Sequence, residues 1–477
     1  MFITEDCIMA EVEKRDYHIS GSSNTMLTKK VLQHSIKHFT LSSSRIILLG
    51  FACLILIGSI LLSLPIASAG KSISWLDALF TSTSAVCVTG LAVVDTGTHF
   101  TLFGQMVIML LIQVGGLGFM TFGVLIAVVM GKKIGLKERL LIQESSNSLS
   151  TQGVVRLSLS IFLIAFIVEV LGAALLTLRW ESELGLKRAT YYGVFHSISA
   201  FNNAGFGLWS DNLSRYVGDP LVNLVITLLF IIGGIGFTVI LDIFRKRSWK
   251  RLSLHSKLVL LTSGVLCILG FMGIFLIEIF NSSTFGSLSW SERIWASYFQ
   301  GVVTRTAGFN TIDIAQMLPA SQFFMIILMF IGASPGSTGG GIKTSTFMVL
   351  ALTIVAIVKG QRDTELMGRR VPHSIILRSL AIMVVSVIVV ITATFLLTIT
   401  EHNSNRDFLA LLFEAVSAFG TVGLSMALTP ELSAWGKGII TVVMYIGRLG
   451  PLTLVLALAQ KNDKQKYRYP EEKIMIG

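Results

Sequence analysis

Eight stretches of this chain are each apolar for long enough to cross a lipid bilayer, and that is the strongest limit on its fold. A spanning helix needs about 20 mostly apolar residues, because the hydrocarbon core is roughly 30 Å thick and an α-helix rises about 1.5 Å per residue. The stretches are residues 46–69, 102–130, 154–178, 220–244, 258–280, 322–358, 375–399 and 436–459. The sixth is interrupted by Ser334-Pro335-Gly336-Ser337-Thr338-Gly339-Gly340-Gly341. Composition agrees: of 477 residues 53% are hydrophobic and 14% charged, where soluble domains carry about 25% charged. The formal charge of +11 would suggest nucleic acid in a soluble protein; in a membrane protein it reports basic cytoplasmic loops, and no nucleic-acid partner is expected. The first 45 residues are polar and lack the apolar run of a cleaved signal. Four isolated cysteines suit neither a disulfide framework nor zinc, and the eight histidines show no metal-binding spacing.

The connections alternate in character. Those after spans two, four and six are basic, whereas those after spans one, three, five and seven each hold a short amphipathic stretch ending in a glycine turn. The four stretches read Trp75-LDALFTSTSAVCVT-Gly90-Leu91, Tyr191-YGVFHSISAFNNA-Gly205-Phe206, Trp295-ASYFQGVVTRTA-Gly308-Phe309 and Leu411-LFEAVSAFGTV-Gly423-Leu424. Their glycines fall 115, 103 and 115 residues apart, and three stretches contain Ser-Ala, at Ser84, Ser199 and Ser417. The spans that follow repeat too, with Gly115-Gly116-Leu117-Gly118, Gly233-Gly234-Ile235-Gly236 and Gly447-Arg448-Leu449-Gly450. Glycines of this kind read first as helix packing. Each unit is thus span, short re-entrant helix, glycine turn, span.

A helix of about 11 residues cannot cross the hydrocarbon core; it enters halfway and stops. Irregular backbone at that depth is tolerated where it is buried or lines water. The helix C-terminus presents the negative end of its dipole, so four such ends on one axis favour a cation. The turn beyond must then send its carbonyls toward the axis, and glycine accepts the positive φ this requires. Carbonyl rings replace the water shell of a dehydrated cation, which is the chemistry of potassium filters. Thr421-Val422-Gly423 reproduces the first three residues of the potassium-channel filter; the other triplets are Val88-Thr89-Gly90, Asn203-Ala204-Gly205 and Thr306-Ala307-Gly308. Only the glycine is common to all four, so fewer well-formed ion sites are expected than in a tetrameric channel.

On the residues Ser199-AFNNAGF, Arg305-TAGFN, Ser417-AFGTVGLS, Ser334-PGSTGGGIKT and Gly447-RLGPLT, the chain resembles the Trk/Ktr/HKT superfamily of potassium transporters, and most of all its bacterial Ktr-type membrane subunit. The resemblance runs from about Arg45 to Lys461. It implies an all-α polytopic membrane protein: four pseudo-symmetric span–pore-helix–span repeats, with eight transmembrane spans and four re-entrant pore helices around one ion pathway. The repeats are expected at 46–130, 154–244, 258–358 and 375–459, between a cytoplasmic segment 1–45 and a cytoplasmic tail 460–477. The resemblance also implies a homodimer in the cell membrane with one pore per chain, and a ring of cytosolic nucleotide-binding regulatory subunits. In the family the loop of the broken sixth span lies under the filter and obstructs the pore. That makes Gly336, Ser337, Thr338, Gly339, Gly340, Gly341 and Lys343 the expected gate, with Arg448 bonding the loop and placing positive charge beside the path. Arg448 sits in the last span, where a charge needs partners or water; a purely structural arginine is its other reading. The loop is not a phosphate loop, because Ile342 separates Gly341 from Lys343 and membrane spans flank it. Arg305 matches the family's third repeat and is expected to point behind the filter toward an acid, with Glu414 a candidate.

Three acids near the starts of the short helices, Asp77, Glu292 and Asp407, read as caps that complement the helix dipole. Glu169 and Glu278, in or near spans, leave two readings open: coupling-ion ligands, or bundle-facing structural groups. A membrane enzyme would need acids, histidines or nucleophiles clustered at one depth, and the sequence shows none. The substrate implied is potassium, with sodium a possible coupling or activating ion and no covalent cofactor. A sodium-conducting relative is the alternative; plant members with that preference carry serine at the first filter glycine, where this chain has Gly90. The charge has an address. With the charges at span ends counted with the connections they adjoin and Arg305 set aside, the termini and basic connectors hold 27 Lys+Arg against 13 Asp+Glu, and the outer connections 8 against 12. The asymmetry places both termini in the cytoplasm, with the basic face toward anionic lipid and an acidic partner surface.

Overall fold

The structure is a computed structural model, and it describes residues 43–130, 154–361, 363–402 and 407–450. The expected N-terminal segment (apart from residues 43–45), the connector between the second and third spans, the end of the eighth span and the C-terminal tail lie outside the described residues.

Four times the chain runs through a long helix, a short helix and a third helix. The long helices are α1 (Ser43–Ser63), α5 (Val154–Leu184), α9 (Leu254–Glu278) and α13 (His373–Thr400). At about 1.5 Å per residue even the shortest spans roughly 30 Å. Each leaves large apolar side chains uncovered, among them Ile60, Phe166, Ile268 and Ile391, all more than half exposed. A water-soluble chain does not present faces of that kind; a lipid-facing one does. By length and composition, these four helices can each cross a membrane, and a bent pair described below makes a fifth.

The short helices are α2 (Trp75–Val86), α6 (Leu186–Phe201), α10 (Trp290–Val303) and α14 (Phe408–Gly420). With 12 to 16 residues they measure about 18–24 Å, too short to cross. Their starts are written locally. Ser74 accepts from Asp77 N at 3.1 Å, and Ser289 with Glu292 forms a reciprocal capping box. Asp77 also pairs with Lys437 at 2.6 Å. Asp407 is the N-cap of α14, with no side-chain capping bond among the described residues. Each short helix buries an aromatic ring at the corresponding place, Phe80, Phe195, Phe299 and Phe413, and these rings form part of one continuous core.

The third helices depart from the sequence expectation. Only the sixth span was expected to be broken, yet the second and fourth are broken as well. Helix α3 (Leu102–Leu117) gives way at Gly118 to α4 (Phe119–Val129), and α7 (Pro220–Ile235) gives way at Gly236 to α8 (Phe237–Lys246) with a bend of 94°. The glycines adopt φ +84° and +101°, which a Cβ opposes. In the third repeat α11 (Pro319–Phe330) and α12 (Thr344–Val358) are parted by the whole loop, pinned by a parallel bridge between Ile331 and Ile342. The fourth-repeat helix α15 (Ala434–Leu449) ends on Gly450, φ +83°. The last glycine of the first two Gly-x-x-Gly runs is therefore a break point, and that of the third caps its helix.

Candidate functional site

The four triplets adopt one backbone pattern. The first residue has positive φ (Val88 +50°, Asn203 +59°, Thr306 +64°, Thr421 +50°), and so does the third (Gly90 +96°, Gly205 +69°, Gly308 +74°, Gly423 +88°). Alternating handedness turns successive peptide groups the same way. The N–H groups are spent backwards, on the short helices. Thr89, Ala204 and Val422 donate to the carbonyls of Ser84, Ser199 and Ser417, each at 2.8 Å. Gly90 and Gly423 donate to the hydroxyls of Ser84 and Ser417 at 3.0 and 3.1 Å. The third repeat is one residue tighter, with Ala307 donating to Val303 at 3.2 Å.

The middle-residue carbonyls close a ring. A Cβ on Gly90 would overlap the Ala204 oxygen, and one on Gly205 would lie 3.0 Å from the Ala307 oxygen. One on Gly308 would lie 2.8 Å from the Val422 oxygen, and one on Gly423 would overlap the Thr89 oxygen. The order is first repeat to second, third, fourth and back to first. On the glycine side opens a cavity of about 620 Å³ lined by Gly90, Gly205, Gly308, Gly423 and the carboxylates Asp95, Asp211 and Asp313.

The loop of residues 331–343 meets the opposite ends of the triplets. The Asn203 amide lies between the hydroxyls of Thr306 and Thr338, at 3.1 and 2.8 Å, whichever way the amide is turned. Gly340 donates its N–H to Thr421 Oγ1 at 2.9 Å, and a Cβ on Gly339 would overlap Thr306 Oγ1. Backbone bonds tie the loop to the glycine runs. Ser334 and Thr338 donate to Gly234 and Gly233 at 3.0 and 3.2 Å, and Gly341 donates to Gly447 at 3.3 Å. Arg448 spans the junction, donating to the carbonyls of Thr338 and Gly115 and, at 3.0 Å, of Gly116. Lys343 Nζ folds onto the Gly339 carbonyl at 2.7 Å, and Ser337 onto Ser334 O at 2.6 Å. The triplets thus abut one another and the loop meets them through Thr338, Gly339 and Gly340, with Arg448 bonded to Thr338, while Ser337 and Lys343 bond within the loop and Gly336 accepts from the Phe237 N–H.

The glycine runs do pack, as expected: Gly115, Gly233 and Gly447 abut the carbonyls of Val86, Phe201 and Phe419 at the ends of the short helices. Sequence reasoning missed their second use: their carbonyls accept from the loop and from Arg448. Arg305 is corrected. Its guanidinium reaches the Ser263 carbonyl at 3.5 Å, while Glu414 is held by Ser425 at 2.8 Å and by Thr429. Glu278 is structural, accepting from Asn281, Thr284 and the Leu318 N–H at 2.7–2.8 Å, so that it ties the end of α9 to the start of α11.

Apolar helices, four inward turns and a carbonyl ring between an acidic cavity and a loop define a helical membrane protein for cation transport. Comparison agrees: the TrkH family of cation transport proteins matches residues 20–468, and this chain belongs to that family. It is 49% identical to the Ktr system potassium uptake protein B of Bacillus subtilis, over 93% of this chain and 98% of that protein. To the protein of the same name from Vibrio alginolyticus it is 43% identical (91% and 94% covered), and to the potassium/sodium uptake protein NtpJ of Enterococcus hirae 40% (92% and 98%). The crystal structure of the potassium transporter TrkH from Vibrio parahaemolyticus shares the fold, with TM-score 0.69 at 20% identity over 89% of this chain and 86% of that one.

Proposed function

We propose that this chain takes up potassium across the cell membrane through the four triplets, which act as its selectivity filter. The observation that carries the reading is the closed ring of carbonyls from Thr89, Ala204, Ala307 and Val422, each against a neighbouring repeat's glycine. With their middle-residue N–H groups bonded to the short helices, the triplets leave their carbonyls to replace a cation's water. The relatives named as potassium uptake proteins support the choice of ion.

In this reading the eight apolar stretches are transmembrane spans, α2, α6, α10 and α14 are pore helices, and the loop 331–343 is the gate at the inner end of the filter. Arg448 clasps the loop from α15. Both termini face the cytosol, as the Lys/Arg asymmetry supports. The protein acts as a homodimer, one pore per chain, under a ring of cytosolic nucleotide-binding subunits. Flux from liposomes holding the purified protein tests the filter: potassium flux exceeds sodium flux, and Gly205→Ser narrows the gap. Equal fluxes of the two ions in the unaltered protein would exclude it.

The second reading, sodium-linked or sodium-conducting uptake, draws on the similarity to a potassium/sodium uptake protein. Repeating the potassium measurement with and without external sodium separates the two; a sodium requirement, or sodium flux as large as potassium flux, favours the second.

A further inference from the structure

The second triplet lacks an anchor that the first and fourth possess. In those, the hydroxyls of Ser84 and Ser417 hold the glycine N–H. The hydroxyl of Ser199, their counterpart, has no hydrogen-bond partner among the described residues. The second repeat carries something else. Glu169 lies buried on α5 where the first repeat has Ile55. The equivalence is geometric: the Glu169 carbonyl accepts from Ser197 Oγ, and the Ile55 carbonyl from Ser82 Oγ, both at 2.7 Å. The Glu169 carboxyl takes two amide donors, Gln113 Nε2 on Oε2 at 3.0 Å and Asn202 Nδ2 on Oε1 at 3.1 Å. Asn202 Nδ2 also donates to Gln113 Oε1 at 2.8 Å. Three side chains from α3, α5 and the end of α6 thus close on one another.

Asn202 is the residue directly before the second triplet; its counterparts are Cys87, Arg305 and Gly420. It has little room to move, since a Cβ on Gly116 would overlap its Oδ1 and lie 2.7 Å from its Cγ. A carboxyl that fixes Asn202 therefore fixes where Asn203-Ala204-Gly205 begins.

We propose that Glu169 is a positioning residue of the filter, acting through Asn202 and Gln113 to set the carbonyls of the second triplet and, through them, potassium affinity and discrimination against sodium. The inference rests on the filter reading above.

The test uses the full chain in liposomes and compares Glu169→Gln, Gln113→Met and Gly205→Ser with the unaltered protein. Glutamine at 169 offers an NH2 where one amide donor needs an acceptor, and methionine at 113 removes a partner while leaving the carboxyl in place. In both, the half-saturating potassium concentration should rise, and the potassium-to-sodium flux ratio fall, by about fivefold to tenfold, with maximal flux within about twofold. Ratio and half-saturation do not depend on how much protein folds. A purely structural Glu169 would lower maximal flux alone, and that result overturns the inference. Gln113→Met decides the matter if Glu169→Gln folds poorly. Should Gly205→Ser leave selectivity intact, the filter reading itself fails. Should it abolish selectivity while both other variants keep wild-type constants, only the role of Glu169 fails.

Discussion

Only glycine fits the third position of each triplet, for two separate reasons. Its φ is positive, and its Cα stands against the next repeat; a Cβ on Gly205 would lie 2.6 Å from Gly308 Cα. A serine there must displace the ring, so Gly423→Ser, like Gly205→Ser, is expected to cut potassium-over-sodium discrimination about tenfold or more, read as a flux ratio; an unchanged ratio would mean the ring is not the filter. The serines give a sharper contrast. Ser417→Ala strips the partner from the Gly423 N–H, a loss of about 1–3 kcal/mol if the group stays buried and unpaired, and should lower both thermal stability and potassium affinity. Ser199→Ala should change neither, because that hydroxyl holds nothing; equal effects from the two would refute the asymmetry. The glycines were legible from their period and the Ser-Ala pairs from their recurrence. What divides Ser417 from Ser199 was not, since both stand in the same Ser-Ala-Phe motif six residues before their glycines and only the folded backbone separates them. Arg305 was misjudged for a similar reason: a sequence shows which acids exist, not that Glu414 is already held by Ser425 and Thr429.

Among elements, the break of the sixth span could be read because Pro335 and a cluster of glycines announce it. The breaks at Gly118 and Gly236 could not, because one glycine inside an apolar run looks the same whether it bends a helix or packs it. The structure shows both uses side by side: Gly233 packs against Phe201 O, while Gly236 takes φ +101° and lets the Phe237 N–H reach Gly336 O at 2.9 Å. In the second repeat regular backbone thus gives way where the loop docks. The loop is held largely by backbone bonds plus Arg448, whose guanidinium joins Thr338 O to the carbonyls of Gly115 and Gly116. Removing it should loosen the loop, so Arg448→Ala is expected to raise potassium flux several-fold per folded molecule. Gly340→Ala, which brings a methyl 2.6 Å from Thr421 Oγ1, should push the loop the same way. Flux unchanged in both would leave Arg448 a structural residue.

For the whole molecule, the acidic connections counted in the sequence meet at the cavity beside the triplet glycines, the outer mouth in the reading proposed above, and give it a particular charge pattern. Asp95 is held by Thr98, and Asp313 by the Ala315 N–H and Gln316, all neutral donors, so these carboxylates present their charge to the cavity. Asp211 differs: Arg215 pairs with it at 2.6 Å and holds its carboxyl below the usual carboxylate range. A depressed carboxylate adds stability above its unfolded value, near 4, and loses that contribution only as pH falls through its lower folded value. The pair is partly exposed, so it is worth at most about 1 kcal/mol, and Asp211 stays ionised above the ordinary carboxylate range. Cation steering into the mouth should then follow net charge and fade with salt, since the Debye length shrinks from about 30 Å at 0.01 M to about 8 Å at 0.15 M. Asp313→Asn is expected to slow initial potassium uptake at low ionic strength. Arg215→Gln should speed it by unmasking Asp211. Both differences should vanish as salt rises. The Arg215→Gln gain should also shrink as pH drops toward 4, because Asp211, freed of its partner, regains an ordinary carboxylate range and protonates. Initial uptake rates across a grid of salt and pH check this. A gain that persists at high salt would trace Arg215 to the shape of the mouth, not its field.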